Sequence, residues 1–155
     1  MQKNHESIEN FINERKPVMN GYIRPISAED TDKYETVLSD CDIWQGETPF
    51  AVTVFGDIIA YDDEGYVILL RLVDGTSSVI CAESELFFSL LSDPDFQKDY
   101  FDIESYEYAK DNVGVLEQDE SYTYEPIPAL GGNKRKESLS KGKTYEYMSI
   151  LVSFI

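Results

Sequence analysis

Apolar positions recur at helical spacing at both ends of this chain and gather into short runs between them. In "ESIENFINER", residues 6–15, Ile8, Phe11, Ile12 and Arg15 share one helical face, and Pro17 stops the element. "GYIRPI" reads as an extended link. Ser27 stands where an N-cap belongs, with Asp30 three residues on, and "AEDTDKYETVLSD" lines up Tyr34, Val37 and Leu38 as a second helix.

The centre changes period. "FAVTVFG", "DIIAYD", "YVILLRLV" and "SSVICA" are rich in β-branched and aromatic residues. "DDEG" at 62–65 and "DG" at 74–75 are turn chemistry, because glycine accepts positive φ and aspartate bonds nearby backbone. Three or four antiparallel strands are expected between Phe50 and Ala82.

Helical spacing then returns. Ser84 is placed to cap "ELFFSLLSD", where Leu86, Phe87, Leu90 and Leu91 face one way. "DPDFQKDYF" and "DIESYEYAKDN" add two helices, the second ended by Gly114 at C′. "LEQDESYTYEPIPALGG" has no clean period and reads as an ordered loop or a short strand. A last helix starts near Lys143 or Thr144 and carries Tyr147, Met148, Leu151 and Phe154. The expectation is an α+β fold: N-terminal helices over residues 1–45, a central antiparallel β-meander of three or four strands, then C-terminal helices. At 155 residues the whole chain, 1–155, reads as a single domain.

Charge sharpens the picture. The chain carries 30 acidic and 13 basic residues, a formal net charge of −17. Residues 25–133 hold 25 acids against four bases, Lys33, Arg71, Lys98 and Lys110. Such a field repels nucleic acid and membrane phosphates, and it attracts cationic partners. A high aromatic share, 13% with 11 tyrosines, argues for a packed globule over a disordered acidic chain. The N-terminus is too polar for a signal peptide, and no apolar run approaches membrane length, so a cytoplasmic protein is expected. Cys41 and Cys81 have no metal-binding spacing and read as reduced, buried thiols.

Candidate chemistry is sparse. Five of the 13 basic residues sit between Lys134 and Lys143, where "GKT" at 142–144 invites a phosphate-loop reading. The loop needs a glycine five residues before Gly142, and Glu137 stands there. No convincing strand precedes it in the sequence. The only histidine, His5, lies in a polar terminus, which removes Cys–His and Ser–His–Asp arrangements. Asp62, Asp63 and Glu64 offer hard oxygen ligands but lack the calcium-loop pattern, so a hairpin turn is the expectation. No metal, no cofactor and no catalysis are expected. In "QDESYTYEP", Tyr122 and Tyr124 alternate with Asp119, Glu120 and Glu125. The rings either form a contact surface or pack on the domain beneath.

Four stretches carry a family resemblance: "FGDIIAYDDEGYVILL", "ELFFSLLSD", "VGVLEQDESYTYEPIPALGG" and "TYEYMSILVSF". Over roughly residues 50–155 the chain resembles the C-terminal domain of the Tdi-type immunity proteins of type VI secretion, a domain often found with a GAD-like N-terminal region. The matching pieces are Gly56 and Asp57 entering a strand, Phe87 and Phe88 in a helix, and a Gly-x-Leu at Gly114 and Leu116. They continue with Pro128, Ala129, Leu130, Gly131 and Gly132 and a closing amphipathic helix. The element here is "PALGG", shorter than the family's "PALALGG". The resemblance implies a cytosolic bacterial protein, encoded beside a secreted toxin, that neutralises it by stoichiometric occlusion. Toxins countered in the family include DNases, and an acidic protein suits a cationic nuclease. The expected contact residues are Asp62, Asp63, Glu64, Asp119, Glu120, Tyr122 and Tyr124. The other readings are a cytosolic scaffold or regulatory binding domain with a non-toxin partner, and an enzyme or metal protein.

Overall fold

The computed structural model describes residues 6–155. The chain runs α1 (Glu6–Glu14), β1 (Ile23–Pro25), α2 (Thr31–Leu38), β2 (Thr48–Thr53), β3 (Ile58–Tyr61), β4 (Val67–Arg71) and β5 (Thr76–Cys81). It continues with α3 (Phe87–Leu90), α4 (Pro94–Tyr100), α5 (Ile103–Asn112), β6 (Glu120–Tyr124), β7 (Leu139–Lys143) and α6 (Thr144–Val152).

The α+β expectation holds, with corrections in its arrangement. The sheet has five antiparallel strands in the order β1-β2-β3-β4-β5, not three or four. The extra strand is β1, which lies in the stretch expected as a link and pairs Ile23 with Thr53 and Pro25 with Ala51. A second sheet, β6 with β7, interrupts the C-terminal helices and pairs Glu120 with Lys143 and Tyr124 with Leu139. A strand therefore does precede Thr144, and Gly142 and Lys143 belong to it.

Strand alternation feeds two cores. In β4, Val67 and Leu69 join Phe50, Phe87, Phe96 and Tyr122 on one face. Ile68 and Leu70 join Leu38, Met148 and Leu151 on the other. Helix α1 and the segment from α3 to α5 cover the first face; α2 and α6 cover the second.

Side-chain caps open two of the helices. Asp93 accepts a hydrogen bond from the Asp95 amide, with Pro94 as the first helical residue of α4. Asp102 accepts from Ser105 N at 3.0 Å to open α5. Gly114 follows α5 at φ +118, the C′ role expected for it. Ser27 does not cap α2; the helix begins at Thr31, whose hydroxyl donates back to the Ser27 carbonyl at 3.2 Å. Leu86 is 52% exposed and Phe154 50% exposed, so neither joins the buried stripe expected of it. Cys41 and Cys81 are buried free thiols.

Candidate functional site

Elementary turn chemistry builds the first acidic loop. Gly65 adopts φ +90, which closes the β3–β4 hairpin. Asp62 is occupied inside the turn: one carboxylate oxygen accepts from Glu64 N at 2.9 Å and Tyr66 N at 3.0 Å. Asp63 and Glu64 are exposed and point their charge to solvent. The Gly65 carbonyl accepts from Ser84 N at 2.8 Å, which ties the turn to the chain just after β5.

The second acidic stretch hangs on one half-buried arginine. The Arg24 guanidinium, on β1, donates to the carbonyls of Glu120 and Gln118, to Thr53 O at 3.1 Å and to Ser121 Oγ at 3.1 Å. Its remaining Nε is buried without a hydrogen-bond partner. The Tyr122 amide adds a bond to Val54 O at 2.7 Å, extending the attachment to the end of β2. Burial lowers the Arg24 pKa, so the fork is held by its acceptors against a desolvation cost. No pattern in the sequence marks this arginine.

Tyr122 and Tyr124 are 1% and 6% exposed, so the rings pack on the domain and do not form an outer surface. Tyr122 donates its hydroxyl to Gly114 O at 2.6 Å and lies 6.0 Å from the Phe55 ring. Burial pushes its hydroxyl up to about 12. Glu120 is half-buried, and its carboxylate accepts from Glu117 N at 2.8 Å. Asp119 is exposed and pairs with Lys143 at 2.8 Å, which lowers its own pKa and raises that of the lysine.

The expected contact residues do not meet. The 62–65 turn lies at the β3–β4 end of the meander, and the 117–125 stretch attaches at the β2–β3 end through Thr53 and Val54. Between the latter stretch, β1 and the start of α2 runs a groove of about 1100 Å³, lined among others by Arg24, Lys33, Tyr34, Val115 and Lys143.

The glycine-rich element is structural. Pro128–Leu130 forms a 3₁₀ turn closed by Gly131 at φ +94. Gly132 serves a different need, because a Cβ there would stand 1.7 Å from the Pro126 carbonyl oxygen. Three of the five basic residues beyond it form internal ion pairs, Lys134–Asp74 at 2.5 Å, Lys136–Glu104 at 3.3 Å and Lys143–Asp119 at 2.8 Å. Gly56, at φ +81, lets the β2–β3 turn lie on Tyr147 of α6. The neighbouring Asp57 carboxyl is pushed up to about 7, chiefly by burial, with the Arg71 charge opposing and Asp74 adding to the rise.

Among the described residues no group of three or more His, Cys, Asp or Glu side chains is arranged to hold a metal ion. Burial raises the Cys41 thiol pKa, the opposite of nucleophile activation. His5 lies outside the described residues. No described helix is long and apolar enough to cross a membrane.

A segment of β6, the 3₁₀ turn with its two glycines, β7 and a closing helix, all behind a phenylalanine-bearing helix, is thus one connected layout. Residues 82–154 match the family "T6SS immunity protein Tdi1, C-terminal". The resemblance read from the sequence is shown over that stretch, and it supports a role as a type VI secretion immunity protein. The Tdi1 match begins after β5, so Gly56, Asp57 and the 62–65 turn stand outside it, while Pro128, Leu130, Gly131 and Gly132 stand within. The comparison with curated proteins gave no match. Among solved structures, Atu4351 from Agrobacterium tumefaciens superposes with a TM-score of 0.65 at 15% identity, covering 98% of this chain and 81% of that one. At that identity the likeness is one of fold.

Proposed function

We propose that this protein binds a cognate secreted antibacterial toxin and neutralises it by stoichiometric occlusion in the cytoplasm, without catalysis of its own. The match of residues 82–154 to the Tdi1 immunity family carries the reading. The net charge of −17 supports a cationic partner, because a field of that size steers an oppositely charged protein into encounter and repels nucleic acid. A nuclease with a basic substrate groove fits that description.

The contact is made by acids exposed to solvent. Asp63 and Glu64 qualify at one end of the meander, and Asp119 at the other, where Lys143 shares its charge. Asp62, Glu120, Tyr122 and Tyr124 act from behind by fixing the two loops.

Co-expression with the toxin encoded beside this protein tests the reading. A 1:1 complex that suppresses toxicity is expected, with association slowing steeply as salt rises. Survival of toxin activity in the presence of excess purified protein overturns it.

A further inference from the structure

Every sheet has two edges, and three of the four strand edges in question here are guarded. At one side of the five-stranded sheet, β1 is three residues long, contains Pro25, and is crossed by the Arg24 fork that holds the 118–121 backbone. In the small sheet, β6 leans on Val54 through its Tyr122 amide, and β7 carries Lys141 and Lys143. Short length, proline and lysine are the ordinary means by which strands avoid joining a foreign chain.

Strand β5 has none of these over Thr76–Val79; its one irregularity, a β-bulge at Ile80 between the Ile68–Val79 and Val67–Cys81 pairs, lies beyond that stretch. It closes the far side of the sheet, six residues long, with the sequence Thr-Ser-Ser-Val-Ile-Cys. In a chain that is 28% charged, it holds no charge and no proline. Thr76, Ser77, Ser78 and Val79 are all exposed, and successive residues of a strand point to opposite faces, so neither face is covered there. Val79 alone is 57% exposed. Only Ile80 and Cys81 turn into the core.

The ground beside the open edge is acidic. Cys81 pairs with Val67, so the end of β5 lies beside the 62–65 turn, to which Ser84 is bonded. Asp63, Glu64, Glu83 and Glu85 are all exposed at this end. A second copy laid on the edge would bring another molecule of charge −17 against it, so self-pairing is opposed. An extended segment with lysine or arginine at one end gains both the main-chain ladder and the acids.

We propose that the toxin adds a β-strand with a basic flank to the outer edge of β5 over Thr76–Val79. This inference rests on the toxin-binding reading and specifies where the partner's backbone docks. Main-chain bonds supply affinity, Val79 offers one apolar contact, and the acids beyond Cys81 fix the direction of the incoming strand.

Amide hydrogen exchange on the free protein and on its complex with the adjacently encoded toxin tests it. Amides of residues 77–79 on the outer side exchange quickly in the free chain and slow at least about tenfold in the complex, since a ladder bond must open first. Ser77→Pro and Ser78→Pro form a pair, of which one removes an outward N–H and the other an N–H bonded to β4. The variant that keeps the wild-type unfolding midpoint is expected to bind the toxin about tenfold more weakly or worse. If neither variant folds, wild-type exchange decides alone. A complex that forms while residues 77–79 stay unprotected overturns the edge inference and leaves the immunity reading intact. Absence of any complex overturns both. Protection of these amides in the free chain, accompanied by a dimer in sedimentation, overturns the toxin as occupant in favour of a second copy.

Discussion

The backbone at Gly132 passes so close to Pro126 that a Cβ would stand 1.7 Å from the Pro126 carbonyl oxygen. Its neighbour Gly131 has no atom within 4 Å of the same position, but sits at φ +94. Adjacent glycines thus answer two separate demands, one steric and one conformational.

Gly132→Ala must displace backbone, and its unfolding free energy in urea is expected to fall by about 3 kcal/mol or more. Gly131→Ala meets only the left-handed backbone penalty, about 1–2 kcal/mol. Equal losses in the two variants would contradict the assignment.

Arg24 joins β1 to the 118–121 stretch through three hydrogen bonds, to the Gln118 and Glu120 carbonyls and to Ser121 Oγ, and makes a fourth to Thr53 O on β2. Arg24→Met removes this donor from the Gln118 and Glu120 carbonyls, while Thr53 O keeps the Gly56 amide and Ser121 Oγ keeps Thr144 Oγ1, and a loss of about 2–4 kcal/mol is expected. Arg24→Lys keeps the charge, but one ammonium cannot span the same fork, so most of the loss should remain. Faster exchange of the Tyr122 amide, bonded to Val54 O, distinguishes detachment of this stretch from general loosening. Wild-type stability in both variants would remove the anchor role.

How much of this was readable follows from what each element depends on. Strands β2 to β5 announce themselves through β-branched and aromatic runs divided by "DDEG" and "DG", because local composition and turn chemistry agree there. Strand β1 is only Ile-Arg-Pro and exists because it pairs with Ala51–Thr53, a contact made across the chain. Strand β7, Leu-Ser-Lys-Gly-Lys, has no strand propensity to read, and pairing with β6 decides it. The alternation of tyrosine and acid in "ESYTY" is compatible with a contact loop and with a buried strand; the position of Val54 and Phe55 beneath it settles the matter. Asp63 and Glu64 were legible as exposed turn acids, whereas Arg24, a lone basic residue in a three-residue strand, carries no local signal.

Asp57 gives a pH dependence. Its folded-state pKa stands near 7 against an ordinary 3.8, so the folded protein holds a proton there that the unfolded chain releases. The stability linked to that proton is fully present below about pH 4 and is lost as pH rises through 7. Asp57→Asn abolishes this loss. The variant is expected to match wild type near pH 4 and to exceed it by up to about 4 kcal/mol at pH 8–9. Denaturant midpoints across pH 4–9 check it, and parallel curves for the two proteins would remove Asp57 as the cause.

The basic run between Lys134 and Lys143 is internal counter-charge, and its removal should show that. Lys134, Lys136 and Lys143 each face an acid, Asp74, Glu104 and Asp119. These pairs lie in solvent, where opposite charges contribute little to stability. Changing all three lysines to glutamine takes the formal charge from −17 to −20 and frees three carboxylates. The melting temperature is expected to stay nearly unchanged, and association with a cationic toxin at low salt to speed up. If the run were instead a site for phosphate or nucleic acid, the same triple variant would lose binding to a fluorescent oligonucleotide that the wild type retains. With −17 on the whole molecule, the wild type is expected to show no such binding, because the surrounding field opposes it before any lysine can contribute.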